Sequence, residues 1–201
     1  VSNTDGTITS QVSANVDAGF SIVKFTVPAS GDFSAGHGLS STPEMVITKS
    51  TDAFNWFIYH KDLSSGANGT YMLQFNTNAE NGSFKWWGNG MTSSVIGGTS
   101  GTSFDPSKET IAYCFHSVDG MSRVGSYVGT GATGNVQYLG FEPAFLLVKR
   151  TSSTSDWYMI DNKRNPSNPR NSWLNANTST AEYTPSHGVD FLTNGFSFIS
   201  T

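Results

Sequence analysis

Apolar and polar positions alternate along this chain over short runs, and turn residues interrupt them before a helical period can build. Ser21–Val27, Glu44–Lys49, Asn55–His60, Tyr71–Asn76, Phe84–Trp87 and Thr110–His116 are rich in Val, Ile, Phe, Tyr and Trp, the composition of strands. No segment keeps a 3.6-residue apolar spacing over three turns. Phe145-Leu146-Leu147-Val148 is apolar on both faces and predicts a central strand. Phe196-Ser197-Phe198-Ile199 predicts a strand with one wet face. Asn-Gly pairs at Asn68-Gly69, Asn81-Gly82, Asn89-Gly90 and Asn194-Gly195 predict tight hairpin turns. Seven or eight short strands per hundred residues predict an all-β chain. A β-sandwich, lectin-like or jelly-roll-like, is expected, with a closed barrel as the alternative.

The pattern also repeats, at an offset of about 101 residues. Trp56-Phe57-Ile58-Tyr59 lines up with Trp157-Tyr158-Met159-Ile160, and Pro43–Lys49 with Pro143–Lys149. Leu73 and Asn76 match Leu174 and Asn177, and Ile8–Ser13 matches Glu109–Phe115. Two homologous repeats are expected, residues 1–103 and 104–201. Their boundary falls in the flexible stretch from Gly97 to Ser103. Alternatively that stretch is a loop inside one composite domain.

Composition narrows the reading. Gly, Ser, Thr and Asn make up 88 of 201 residues, and only 13 % are charged. The stock of helix formers is thin, and 13 % aromatic residues argue against disorder. A net charge of −4 gives no basic patch for nucleic acid or an anionic membrane. The apolar runs are too short for membrane insertion. With Cys114 alone, no internal disulfide or CxxC site can form. The chain starts at Val1 without a leader-like segment and reads as part of something longer.

Catalytic motifs are not signalled. There is no GxSxG elbow, and His37, His60, His116 and His187 lack metal-ligand spacing. His37, in Gly36-His37-Gly38, reads as a turn-capping residue. Cys114, among apolar neighbours, reads as a buried structural thiol. Glu44, Glu80, Glu109, Glu142 and Glu182 are scattered rather than paired as glycoside hydrolysis requires. No catalytic residue, metal ligand or cofactor is expected.

Two clusters suggest binding. In Phe84-Lys85-Trp86-Trp87-Gly88-Asn89-Gly90, strand alternation turns one of Trp86 and Trp87 outward. An exposed indole beside Asn89 would stack on a sugar ring; packing of both indoles is the alternative. The second cluster, Asp161–Asn171 leading to Trp173, concentrates three basic residues, one acid and four amides in one copy only. Asp161, Lys163, Arg164, Asn165 and Trp173 are candidates for polar and stacking contacts with a glycan. Alternatively Asp161 and Arg164 pair to hold the loop's own shape.

Several segments together resemble a known family. They include Ala18-Gly19-Phe20-Ser21-Ile22-Val23, Gly36-His37-Gly38-Leu39, Ile111-Ala112-Tyr113-Cys114-Phe115, Val124–Gly131, Gly140–Phe145, Asp161–Pro166 and Asp190–Phe196. The pattern is similar to the repeat domain of phage tail fibre and tailspike proteins. The resemblance spans nearly the whole chain and is most specific from Ile111 to Pro166. It implies a virion-surface, extracellular role in host recognition, with a host cell-surface glycan as partner. Other fibre chains, in a homotrimer, are also implied as partners. A non-catalytic receptor-binding module is thus the leading expectation. A structural spacer or oligomerisation module follows it, and a polysaccharide depolymerase comes last. Here His116-Ser117 replaces the small residue and acid that usually follow the Cys-Phe pair, and Trp86-Trp87 is not a regular feature of that family.

Overall fold

The computed structural model describes residues 1–53, 55–63, 72–77 and 90–199. It is an all-β chain that divides into two compact units. The first holds 1–75 and 81–118, and the second 76–80 and 119–201.

In the first unit the strands are β1 (Ser2–Asn3), β2 (Ser10–Asn15), β3 (Phe20–Thr26), β4 (Asp32–Gly36), β5 (Met45–Ser50), β6 (Trp56–His60), β7 (Leu73–Gln74), β8 (Val95–Thr99) and β9 (Glu109–Phe115). Seven form one antiparallel sheet in the order β1-β2-β3-β9-β5-β6-β7, and β4 pairs with β8 in a ribbon. Period-two alternation decides which face turns inward. Val23 and Phe25 of β3, Ala112 and Cys114 of β9 and Val46 of β5 point to one face. There they meet Phe33, Ala35 and Ile96 from the ribbon, forming the core of a sandwich. Phe33 and Phe104 meet edge to face at 5.1 Å, an orientation their ring quadrupoles favour.

The predicted boundary at 103/104 therefore moves. β9 lies between β3 and β5, so the first unit runs on to residue 118. The Gly/Ser/Thr stretch that suggested a linker contains much of β8. Gly97 and Gly98 pair with Ser34 and Phe33. Gly98 is a packing requirement, since a Cβ there would lie 2.6 Å from the Phe104 ring and 2.7 Å from that of Phe33.

In the second unit the strands are β10 (Asn135–Tyr138), β11 (Phe145–Lys149), β12 (Trp157–Asp161), β13 (Leu174–Asn175), β14 (Gly188–Leu192) and β15 (Gly195–Ile199). They form two three-stranded sheets, β10-β15-β14 and β11-β12-β13. Ile160 and Leu146 from one sheet and Val189, Phe191, Phe196 and Phe198 from the other enclose a second core around Trp173. Gly195 opens β15 rather than centring the turn before it. Its φ is +156°, and a Cβ would fall 1.9 Å from the Gln137 carbonyl oxygen on β10.

The meander β5-β6-β7 and the meander β11-β12-β13 share one register. Lys49 pairs with Trp56 as Lys149 pairs with Trp157. Phe57 pairs with Gln74 as Tyr158 pairs with Asn175. The flanking backbone bonds recur as well: Lys61 N–H to Glu44 O at 2.8 Å matches Asn162 N–H to Ala144 O at 3.1 Å. The expectation of a central strand at Phe145–Val148 is corrected, because β11 pairs with β12 alone among the described residues. Phe145 is 53 % exposed. A run apolar on both faces looks central in a sequence, whereas its flanks are set by distant segments.

Candidate functional site

Trp86, Trp87 and Asn89, with the Phe84–Trp87 run, lie outside the described residues. The Asp161–Asn171 loop is described, and its chemistry turns inward. One Asp161 carboxylate oxygen accepts the N–H groups of Lys163 at 2.9 Å and Arg164 at 2.8 Å. The other accepts Arg164 Nε at 2.6 Å. The guanidinium continues to the Met159 carbonyl at 2.9 Å and to Glu182 at 3.2 Å. Burial pushes the Asp161 carboxyl up, but the bonds from Arg164 and Lys163 outweigh it and hold the group below its ordinary value. The Asn165 and Asn171 side chains lie 2.8 Å apart.

The far side of the loop is sewn to β14. The Asn168 amide donates to the Phe191 carbonyl at 2.8 Å and accepts the Phe191 N–H at 3.0 Å. Two residues on, the Arg170 and Val189 backbones exchange bonds of 2.7 and 3.1 Å. The Arg170 guanidinium is buried, 4.7 Å from the centre of the Phe191 ring. Of this cluster only Lys163 presents an exposed charged side chain.

Trp173 is a core residue and offers no face to a ligand. It is 3 % exposed, donates its indole N–H to the Arg170 carbonyl at 3.2 Å and packs on Tyr158. The repeat supplies the reason. At the 101-residue offset Trp173 corresponds to Met72, which is buried in the first core next to β7. Both copies thus fill the same inward position before the last meander strand, with different side chains.

Other single-residue readings find partners. His37 is fully buried, with its Nδ1 accepting the Leu39 N–H at 3.1 Å and its Nε2 3.1 Å from the Thr92 carbonyl. Burial lowers its pKa, against a smaller opposing contribution from the Thr92 hydrogen bond. Cys114 is buried, and burial pushes its thiol up to about 12, where it is neither thiolate nor nucleophile at neutral pH. Glu44 takes Lys61 at 2.7 Å and the Ser117 backbone N–H at 2.7 Å, and the Ser117 hydroxyl also donates to it.

The second unit has a cleft of about 280 Å³ that the motifs did not single out. It lies close to the lower edge of the roughly 300–1,000 Å³ usual for small-molecule sites. Tyr127 and Phe198 form its aromatic wall, stacked with ring centres 5.7 Å apart and planes 23° from parallel. The loop Gly129-Thr130-Gly131-Ala132 forms a second side, and Ser186 and His187 a third. Asn135 steadies the loop by donating to the Val128 carbonyl at 2.9 Å. His187 stands edge-on to Trp173 at 4.9 Å, so the buried indole supports a residue of the wall. Ser186 and His187 are exposed, and their side chains make no hydrogen bond among the described residues. Burial pushes the Tyr127 hydroxyl up to about 12, so it stays protonated and able to donate. The sequence signal was Tyr127 itself, an aromatic residue set among glycines with no strand pattern to absorb it.

Among the described residues, no group of three His, Cys, Asp or Glu side chains is placed to hold a metal ion. Comparison with curated proteins and with solved structures gives no match. A family profile matches residues 1–201 in full, and the chain belongs to the family described as Domain of unknown function (DUF7483).

Proposed function

We propose that this chain is a carbohydrate-binding module of a virion surface protein, a receptor-binding part of a phage tail fibre that acts without catalysis. The observation that carries it is the cleft of the second unit, where an aromatic wall faces open hydroxyl and imidazole groups. The apolar C–H face of a pyranose packs on an aromatic ring, and its hydroxyls need donors and acceptors at the rim. Tyr127 and Phe198 suit the first demand, and Thr130, Ser186 and His187 the second. The phage setting rests on the sequence resemblance alone. Cleavage of a polysaccharide has less support. Asp161 and Glu182, carboxylates from separate regions, both bind Arg164. An Asp161 carboxyl held below its ordinary value is a poor proton donor.

The test is a screen of bacterial surface polysaccharides on an array, followed by calorimetric titration of the strongest binder. His187→Ala and Ser186→Ala, both at exposed positions, are expected to weaken binding about tenfold each, the order of one lost hydrogen bond or ring contact. Failure of the folded chain to bind any polysaccharide, or unchanged affinity in both variants, overturns the reading.

A further inference from the structure

Two glycines line the loop side of the cleft in the second unit, and the protein's own structure accounts for only one of them. Gly131 has a φ of +70°, a left-handed conformation that side chains rarely adopt. Gly129 lies outside that region, and a Cβ there would meet no described atom within 4 Å. At Gly98 and Gly195, by contrast, a Cβ would collide with rings or backbone. Neither backbone nor packing therefore calls for glycine at 129, although glycine costs conformational entropy on folding.

The aromatic wall sets the size of the guest. Tyr127 and Phe198 stack at 5.7 Å, and Phe196 stands nearly perpendicular to both, 6.0 Å from Tyr127 and 5.7 Å from Phe198. Three rings gathered in this way offer one platform, not a row of platforms along a groove. The volume of about 280 Å³ agrees. Clefts of roughly 300–1,000 Å³ enclose drug-sized ligands, and one just below that range suits a single ring with its substituents.

We propose that the cleft takes one pyranose, at the end or at a branch of a polysaccharide, and that Gly129 sets this specificity by leaving the space of its missing side chain to the sugar. The proposal rests on the glycan reading of this cleft and narrows it to terminal residues. A sugar on the Tyr127–Phe198 wall has the Gly129–Ala132 loop on one side and Ser186 and His187 on another. An end residue enters such a three-sided site, whereas an internal one, linked at both ends, needs two ways out. Between the walls the ring lies against the bare Cα of residue 129, and any side chain there would take its place. Gly125 is a built-in control. It shares the ordinary φ and the open surroundings of Gly129 but stands outside the lining of the cleft.

The probes come from the polysaccharide that binds best in the array: the methyl glycosides of its component sugars and its linear oligomers, titrated against the full chain and read by amide chemical shifts. One methyl glycoside is expected to bind with a Kd of about millimolar order, as suits a ligand of few atoms. Affinity is expected to level off there, with no further gain from longer oligomers. Gly129→Leu is expected to weaken binding about tenfold or more, the order that overfilling a packed site costs, while Gly125→Leu leaves it unchanged. Should Gly129→Leu fail to fold, the unaltered chain decides, with the Gly129 amide shifting on titration and the Gly125 amide staying in place. A polysaccharide that binds while none of its methyl glycosides does, affinity that climbs with each added residue, or equal binding by Gly129→Leu overturns this proposal and leaves the glycan reading standing. Failure of every polysaccharide to bind overturns both.

Discussion

The two meanders are the same local object in two different surroundings. β5-β6-β7 and β11-β12-β13 agree in register, in flanking backbone bonds and in the Lys-Trp pair that closes the first hairpin. Even the lysine ammonium groups behave alike, with Lys49 and Lys149 each reaching the carbonyl of the next residue. Yet β5 is flanked by both β6 and β9, whereas among the described residues β11 pairs with β12 alone. The segments after the tryptophan strands match in length but not in sequence: the first begins Lys61-Asp62-Leu63-Ser64-Ser65-Gly66, whereas the second is the charged, amide-rich Asp161–Asn171 loop, which is braced on β14. Local sequence sets the hairpin, and distant sequence sets what lies beside it.

The strongest way to break the equivalence is at the matched inward positions Met72 and Trp173. Removal of the Trp173 indole is expected to cost the second unit about 3–5 kcal/mol, and Met72→Ala to cost the first about 2–5 kcal/mol. Denaturant unfolding followed by near-ultraviolet circular dichroism should show each variant displacing one transition. A single shared transition in both variants would show that the units unfold together.

Next in size is Gly98→Ala. It forces a methyl group against Phe33 and Phe104, at about 1–3 kcal/mol of overpacking in the first unit alone. Thermal melts should show this as an earlier first transition.

The ion pairs sharpen the contrast in the loops. Asp161 organises two backbone N–H groups and a guanidinium, so Asp161→Ala is expected to cost the second unit about 1–3 kcal/mol. Lys61→Ala removes a more exposed partner of Glu44 and is expected to cost under about 1 kcal/mol. Equal losses would mean that Asp161 braces its loop no better than the Glu44–Lys61 pair holds the end of β6.

The smallest effect is a pH response confined to the first unit. Folding lowers the pKa of His37 below its ordinary 6.5. The unfolded chain therefore binds more protons as pH falls below 6.5, and stability drops with acidification in that window. Carboxylates held low by folding, Glu44 in the first unit and Asp161 in the second, add their losses only at lower pH, below their unfolded values. Melting temperatures at pH 7 and pH 5.5 should differ for the first transition, and His37→Gln should flatten that difference.

Much of the fold was legible in the sequence, because alternation and turn residues act locally. The strands at Ser21–Val27, Glu44–Lys49 and Thr110–His116 were readable within a residue or two. Their neighbours were not. Nothing in Glu109–Phe115 says that it enters between β3 and β5 rather than opening the second unit, and that choice moved the boundary. The self-bracing of Asp161 and Arg164 was visible as an alternative, since an acid three residues before an arginine can reach it. Trp173 misled because tryptophan suits both a core and a sugar platform. Only its correspondence with Met72 reveals the inward direction. The Tyr127 cleft was hidden because its lining comes from three separated stretches, none of which forms a motif alone.

The place of β9 has a consequence in time. Val23 of β3 meets Ala112, 89 residues further along the chain. Closing so long a loop costs entropy before any contact offsets it, and such pairings fold slowly. On the ribosome, β3 and β5 are finished well before their common neighbour has emerged. Until residue 115 clears the exit tunnel, the first unit carries two open strand edges, with Val23, Phe25 and Val46 only partly covered. The first unit therefore completes only once β9 has emerged, and a nascent chain stalled before β9 should be the form most prone to aggregate.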